Sequence, residues 1–219
     1  MSQGEVSGPP SLTSERLRSD SERYYSSRFA EHGPTPRGVD WNGEDSQVLR
    51  FTQLLQVVDR EGPFSLLDYG CGYGALLARM RAGDWDCDYR GFDLSEPMIE
   101  HARLTFEDDH RATFASREDE LEPADYAVAS GVFNVRQEAT VEAWSAYVLE
   151  SLDRLDFLGR NGFSFNLLTS YSDPQLMRDH LWYADPTMLF NHCKSRYSRQ
   201  VALLHDYGLF EFTIIVRKP

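Results

Sequence analysis

Leu66-Leu67-Asp68-Tyr69-Gly70-Cys71-Gly72-Tyr73-Gly74-Ala75 is the stretch whose reading decides the fold. A short apolar run meets three glycines at alternate positions, and a helical pattern starts at once afterwards. Glycines let the chain turn sharply and let a ligand approach the backbone with no Cβ in the way. A strand-to-helix turn of this kind lies at the carboxyl edge of a parallel sheet, where doubly wound folds bind ligands. A second acid, Asp93, closes the next apolar run, 25 residues after Asp68 and 19 after Gly74. A carboxylate there can accept two hydrogen bonds from the hydroxyls of a ribose.

The rest of the chain alternates in the same way. Strands are expected at 64–69, 89–92, 112–115, 126–129, 162–168, 200–204 and 211–216. Helices are expected at 74–80, after Ser95, at 140–158 and at 186–194, with Ser95 as a cap and Pro97 tolerated in the first turn. Strands alternating with helices imply an α/β, Rossmann-like doubly wound sheet of seven strands. The link at 206–209 is short enough for a hairpin, which makes the last strand antiparallel. Ahead of the sheet, 14–31 reads as helical, 32–42 as a loop punctuated by glycine and proline, and 45–60 as an amphipathic helix stopped at Gly62-Pro63. The expected division is a disordered tail at 1–13, an N-terminal helical cap at 14–62 and a catalytic-type domain at 63–219.

Bulk properties narrow the partners. The chain has 219 residues and a formal net charge of -13. Such a charge repels phosphate, and no run of Lys or Arg offsets it, so nucleic acid and anionic membranes are disfavoured. Cys71, Cys87 and Cys193 are too few and too widely spaced for a disulfide framework or a zinc site, so no metal is expected. The N-terminus lacks the apolar core of a signal peptide, and no apolar stretch is long enough to span a bilayer. A cytoplasmic protein is expected; the oligomeric state is not read.

The glycine spacing at 70, 72 and 75 also satisfies the dinucleotide fingerprint, which keeps a nucleotide-dependent oxidoreductase open. Asp68 and Gly74 complete a longer pattern, Asp-x-Gly-x-Gly-x-Gly. It resembles motif I of the class I S-adenosylmethionine-dependent methyltransferases, and Gly91-Phe92-Asp93-Leu94-Ser95-Glu96-Pro97-Met98 resembles the family's next segment. The resemblance covers roughly Phe64 to the C-terminus and implies S-adenosyl-L-methionine as cofactor. It implies that Asp68 orients the loop or the ammonium of the methionine moiety, that Gly70, Cys71, Gly72 and Gly74 form the loop around that moiety, that Asp93 holds the ribose, and that Leu94 and Met98 flank the adenine. Ser116, after the third strand, stands near the adenine amine, or else is a plain surface turn. Ser130 and Phe133 flank the cofactor after the fourth strand. Arg50 either pairs with the cofactor carboxylate or is a surface arginine.

The acceptor side is less defined. The Asn/Asp-Pro-Pro-Tyr-type run of enzymes that methylate DNA bases or protein glutamine is missing after the fourth strand, so a small-molecule acceptor is expected. Asn134 either points at that acceptor or caps the next helix. Tyr24, Tyr25 and Trp41 in the N-terminal segment, and Tyr171 and Tyr183 in the long 170–186 loop, are the candidate acceptor-binding residues; the same loop also reads as a solvated connection. If a base is needed, His205, Asp206 and His180 are the candidates, and a structural role for each stays open. A non-catalytic cofactor-binding protein on the same fold is the other open reading.

Overall fold

Every residue of β1 (Phe64–Tyr69) except Ser65 is buried, as befits a strand covered on both faces at the centre of a parallel sheet. The computed structural model describes residues 14–41, 43–59 and 61–219. The expected tail at 1–13 lies outside the described residues. β1 pairs in parallel with β2 (Cys87–Phe92) on one side and β4 (Ala124–Ala129) on the other. β3 (Ala112–Ala115) lies beyond β2, and β5 (Gly159–Leu168) lies beyond β4. β7 (Glu211–Arg217) runs antiparallel between β5 and the edge strand β6 (Gln200–Leu204). The order is β3-β2-β1-β4-β5-β7-β6, so the seven strands and the antiparallel last strand stand as expected. The order reverses between β1 and β4, which opens a crevice at their carboxyl ends.

Side-chain alternation along the strands sorts the core into two layers. Leu66, Tyr126, Val128 and Ile215 face one way and pack under α2 (Glu44–Leu54), α3 (Ala75–Ala82) and α4 (Glu96–Thr105), through Phe51, Leu54, Leu77, Met80 and Ile99. Leu67, Ala127, Phe163, Phe165 and Ile214 face the other way, under α5 (Val141–Leu158) and α6 (Pro186–Arg196). α5 starts where Thr140 accepts the amide of Ala143 at 3.2 Å, an N-cap that satisfies one free donor of the first turn. Among the described residues no helix is long and apolar enough to cross a membrane.

α1 (Ser14–His32) has little apolar surface to bury; Leu17 and Ser21 are its buried residues. It is held by polar contacts at both ends. Ser14 Oγ donates to Glu150 of α5 at 2.5 Å, and Ser26 Oγ lies 2.8 Å from Ser95 Oγ, just ahead of α4. Between them Arg18 pairs with Glu118 after β3. α1 therefore crosses the carboxyl edge of the sheet from one helical layer to the other. α2 is different from the cap expected for 14–62. It packs on the sheet itself, and its final carbonyl, Leu54 O, accepts Ser164 Oγ of β5 at 2.8 Å. It also ends at Leu54 in a short 3-10 turn, Leu55–Val57, six residues before the expected stop at Arg60. β2 and β5 each start earlier than expected, at Cys87 and Gly159.

α5 carries a test of the layering. Leu152 is fully buried against the sheet, whereas Phe157 is 62% exposed on the same helix. Leu152→Ala should lower stability by about 2–5 kcal/mol and Phe157→Ala by under about 0.5 kcal/mol, read as urea-denaturation midpoints at unchanged slope.

Candidate active site

The carbonyl of Phe92, last residue of β2, accepts two amides from the glycine loop, Gly70 N at 2.7 Å and Cys71 N at 2.8 Å. The next residue extends the grip. Asp93 Oδ2 accepts Gly72 N and Asp93 Oδ1 accepts Ser95 N, both at 2.9 Å. Gly70 sits at φ +85°, and a Cβ built there would lie 2.4 Å from Val132 Cγ2, so the turn excludes any side chain on both counts. Gly74 also has positive φ, but a Cβ there would meet the Phe106 ring at 2.6 Å. It lets the start of α3 close against Phe106, the residue that follows α4, and does not line the cavity, contrary to the role expected for it.

A cavity opens beside this loop, with about 880 Å³ of space free of atoms, part of it continuous with solvent. The sheet side contributes Asp68, Gly70, Cys71, Gly72, Asp93, Leu94, Met98 and Ser130; the N-terminal side contributes Ser21, Glu22, Tyr25, Val39 and Trp41. Asp68 is 2% exposed. Its Oδ2 accepts Tyr89 Oη–H at 2.6 Å, while its Oδ1 is buried with no hydrogen-bond partner, as is Ser130 Oγ. Burial raises the Asp68 carboxyl to about 7; the Tyr89 hydroxyl offsets this in part, and the nearby charge of Asp93 adds to it. Burial raises Asp93 as well, against the lowering effect of its two amide donors. Burial also pushes the Cys71 thiol well up, so it acts as a small packing group.

Other expected site residues are placed elsewhere. Arg50 neither pairs across the cavity nor lies on the surface. It is 6% exposed; its Nε donates to Glu211 Oε2 at 2.8 Å and its Nη2 to Glu211 Oε1 at 2.5 Å, with its guanidinium 3.8 Å from the Trp41 ring centroid. Phe133 is fully buried in the core beneath α5, where its carbonyl accepts Trp144 Nε1; Val132 lines the cavity in its place. Asn134 reaches neither the cavity nor a helix start: its Oδ1 accepts Leu168 N at 3.0 Å and its carbonyl accepts Trp182 N at 2.8 Å. Ser116 is not among the lining residues. Tyr24 donates to Asp40 at 2.8 Å.

The 170–186 loop does not reach the cavity either. It is pinned to the ends of the sheet by Trp182, 4% exposed, and by paired backbone bonds of Leu168 and Ser170 with Ala184. Tyr171 is 69% exposed against the His205 ring, and Tyr183 Oη accepts Arg178 N. His205 and Asp206 follow the edge strand β6, with β7 and β5 between them and β4. His180 serves through its carbonyl, which accepts Arg136 N and Gln137 N. None of the three candidate bases lines the cavity. Gln47, Phe51, Tyr73 and Tyr147 do line it and were not singled out from sequence; for Gln47 and Phe51, four apart on α2, the signal was the apolar stripe that also carries Leu54.

The family described as "Methyltransferase domain" matches residues 67–154. A Mycobacterium tuberculosis (strain ATCC 25618 / H37Rv) protein named "Putative methyltransferase Rv1506c" is 53% identical over 166 residues, which span 75% of this chain and 99% of that protein. The chain belongs to the methyltransferase family, and its sheet and glycine loop are those of the class I S-adenosylmethionine-dependent fold. Among solved structures it is similar to the 1,6-didemethyltoxoflavin-N1-methyltransferase of Burkholderia thailandensis, with a TM-score of 0.63 and 19% identity over 97% of this chain and 93% of that one. It is also similar to the N-methyltransferase NodS of Bradyrhizobium japonicum WM9, with a TM-score of 0.61 and 14% identity over 91% and 98% of the two chains. Both likenesses are of fold.

The buried Asp68 gives a pH signature. Its folded pKa of about 7 lies above its ordinary value of 3.8, so between those values the native state keeps a proton that the unfolded chain has lost. Stability of the ligand-free protein should therefore fall as pH rises from about 4 to about 7 and level off above. In Asp68→Asn the decline over that window should be shallower, read from denaturation midpoints at each pH.

Proposed function

We propose that the chain transfers a methyl group from S-adenosyl-L-methionine to a small molecule. The observation that carries this is the buried, half-satisfied carboxylate of Asp68 at the floor of the glycine-loop cavity. An unpaired buried acid is costly, and a cationic ligand removes the cost. S-adenosylmethionine brings an ammonium and a sulfonium; a dinucleotide brings a diphosphate, which the buried Asp68 repels. This favours the methyl donor over the oxidoreductase reading.

The remaining residues fit the same ligand. Each Asp93 oxygen takes one amide and has a lone pair left for a ribose hydroxyl. Leu94 and Met98 line the cavity beside it and suit the adenine, and Ser130 Oγ, buried with no partner, is available to the methionine moiety. When bound, the cofactor supplies an electrophilic methyl on an already activated leaving group. The protein's share is then to align the acceptor and to exclude water. α1 and Trp41 do this by covering the edge of the sheet, and so enclosed a cavity suits a small acceptor. The net charge of -13 disfavours nucleic acid and anionic membranes as partners. The three cysteines are buried and free, in keeping with a reducing cytoplasm.

Calorimetry on the purified chain should show binding of S-adenosylmethionine or S-adenosylhomocysteine and none of NAD; NAD binding alone would overturn the reading. Asp93→Ala should lose on the order of 2–4 kcal/mol of cofactor affinity, from charge-assisted bonds of about 1.5–3 kcal/mol each. Its melting temperature should also drop, because Gly72 N and Ser95 N lose their acceptor. Deleting residues 1–13 should leave cofactor affinity unchanged. Deleting residues 1–38 removes Ser21, Glu22 and Tyr25 from the wall and should weaken it.

A further inference from the structure

We infer that the methyl acceptor is an amine, and that acids and phosphates are excluded from the site. The inference rests on the proposed cofactor and concerns the space left beside it. The described lining of the cavity holds three carboxylates, Glu22, Asp68 and Asp93, and no Lys, Arg or His. Asp68 is 2% exposed, lines the cavity and has an oxygen with no partner, which independently marks the cavity as short of positive charge. The arginines beside the lining residues are already paired: Arg50 stacks on Trp41 and is held by Glu211, and Arg18, beside Tyr69 and Tyr147, is held by Glu118. S-adenosylmethionine carries a net single positive charge, so the loaded cavity stays negative. An anionic acceptor would be desolvated there with no counter-ion. A basic one finds carboxylates and the aromatic faces of Tyr25 and Trp41, which attract cations.

The chemistry agrees. No histidine is among the described residues that line the cavity, so a nucleophile that needs no strong base suits it. The bound ammonium first gives a proton to water, and the free-base nitrogen then forms the new C–N bond as the C–S bond breaks, with that electron pair staying on sulfur. The positive charge passes from sulfur to nitrogen and never leaves the acid-lined space. The surplus N–H proton is then released to Glu22 or to water. With a carboxylate acceptor the same charge would be cancelled, and the three acids would oppose the approach. Glu22 projects from α1, where Ser26 Oγ donates to its Oε1 at 3.2 Å, and it is the one acid of the three outside the glycine loop and its anchor.

The test uses the full chain saturated with S-adenosylhomocysteine and matched ligands on one aryl-alkyl body: phenethylamine, 2-phenylethanol and 3-phenylpropanoate, then tryptamine and indole-3-propanoate. Binding is read by calorimetry and thermal shift, and methyl transfer to each by mass spectrometry. Each amine should bind at least tenfold more tightly than its acid. Glu22→Gln should narrow that gap severalfold by weakening the amine and tightening the acid. Equal or tighter binding of an acid, methyl transfer to an acid or to the alcohol in preference to the amine, or no binding of either amine at millimolar concentration overturns the inference. Failure of S-adenosylhomocysteine itself to bind would instead overturn the proposed function.

Discussion

One carbonyl organises the site. Phe92 O ends β2 and takes the amides of Gly70 and Cys71, which ties the loop after β1 to the end of its neighbour strand. The six-residue parallel register of β1 and β2 delivers the two strand ends level with each other, so this tie forms without distortion. Asp93, one residue on, then takes Gly72 N, and the loop is fixed at three successive amides. A backbone so held presents its remaining polar edge to the crevice between β1 and β4. Everything the cavity does with a ligand depends on that crevice staying open, and the strand-order reversal keeps it so.

The same rigidity explains why two acids are tolerated side by side at low solvent exposure. Asp93 is compensated by backbone donors, and Asp68 only by the Tyr89 hydroxyl. Their environments differ accordingly: one is a structural anchor with spare lone pairs, the other a carboxyl that burial holds part-way to neutrality. Pre-formed unsatisfied charge of this kind favours a ligand that brings the missing sign.

What was legible in the sequence was local. The glycine pattern, the acid after β2, the strand and helix periods and the hairpin link at 206–209 each depend on residues close together in the chain; the strands stand within about three residues of their expected bounds, and α2 ends six residues early. The misplaced residues depend on distant partners. Arg50 meets Glu211 across 161 positions, and nothing near Arg50 announces that. Phe133 and Val132 differ by one step in parity, and the step is set by how the loop after β4 turns at Gly131 beneath Trp41. The aromatic 170–186 loop has the composition of a lid, yet Trp182 and Asn134 fasten it to the sheet ends instead. Aromatic content says that a segment will bury something, without saying against what.

The Arg50–Glu211 pair has a bearing on synthesis. Glu211 also accepts Asn166 Nδ2 at 2.6 Å, and Asn166 Oδ1 accepts Gly131 N at 2.8 Å, so one buried chain of contacts joins α2, β5, β7 and the loop after β4. A guanidinium taken out of water without its carboxylate is strongly unfavourable. During translation α2 emerges well before β7, so Arg50 has no carboxylate to seat against until β7 has left the ribosome. Seating of α2 on the sheet therefore waits on a partner 161 positions further along the chain.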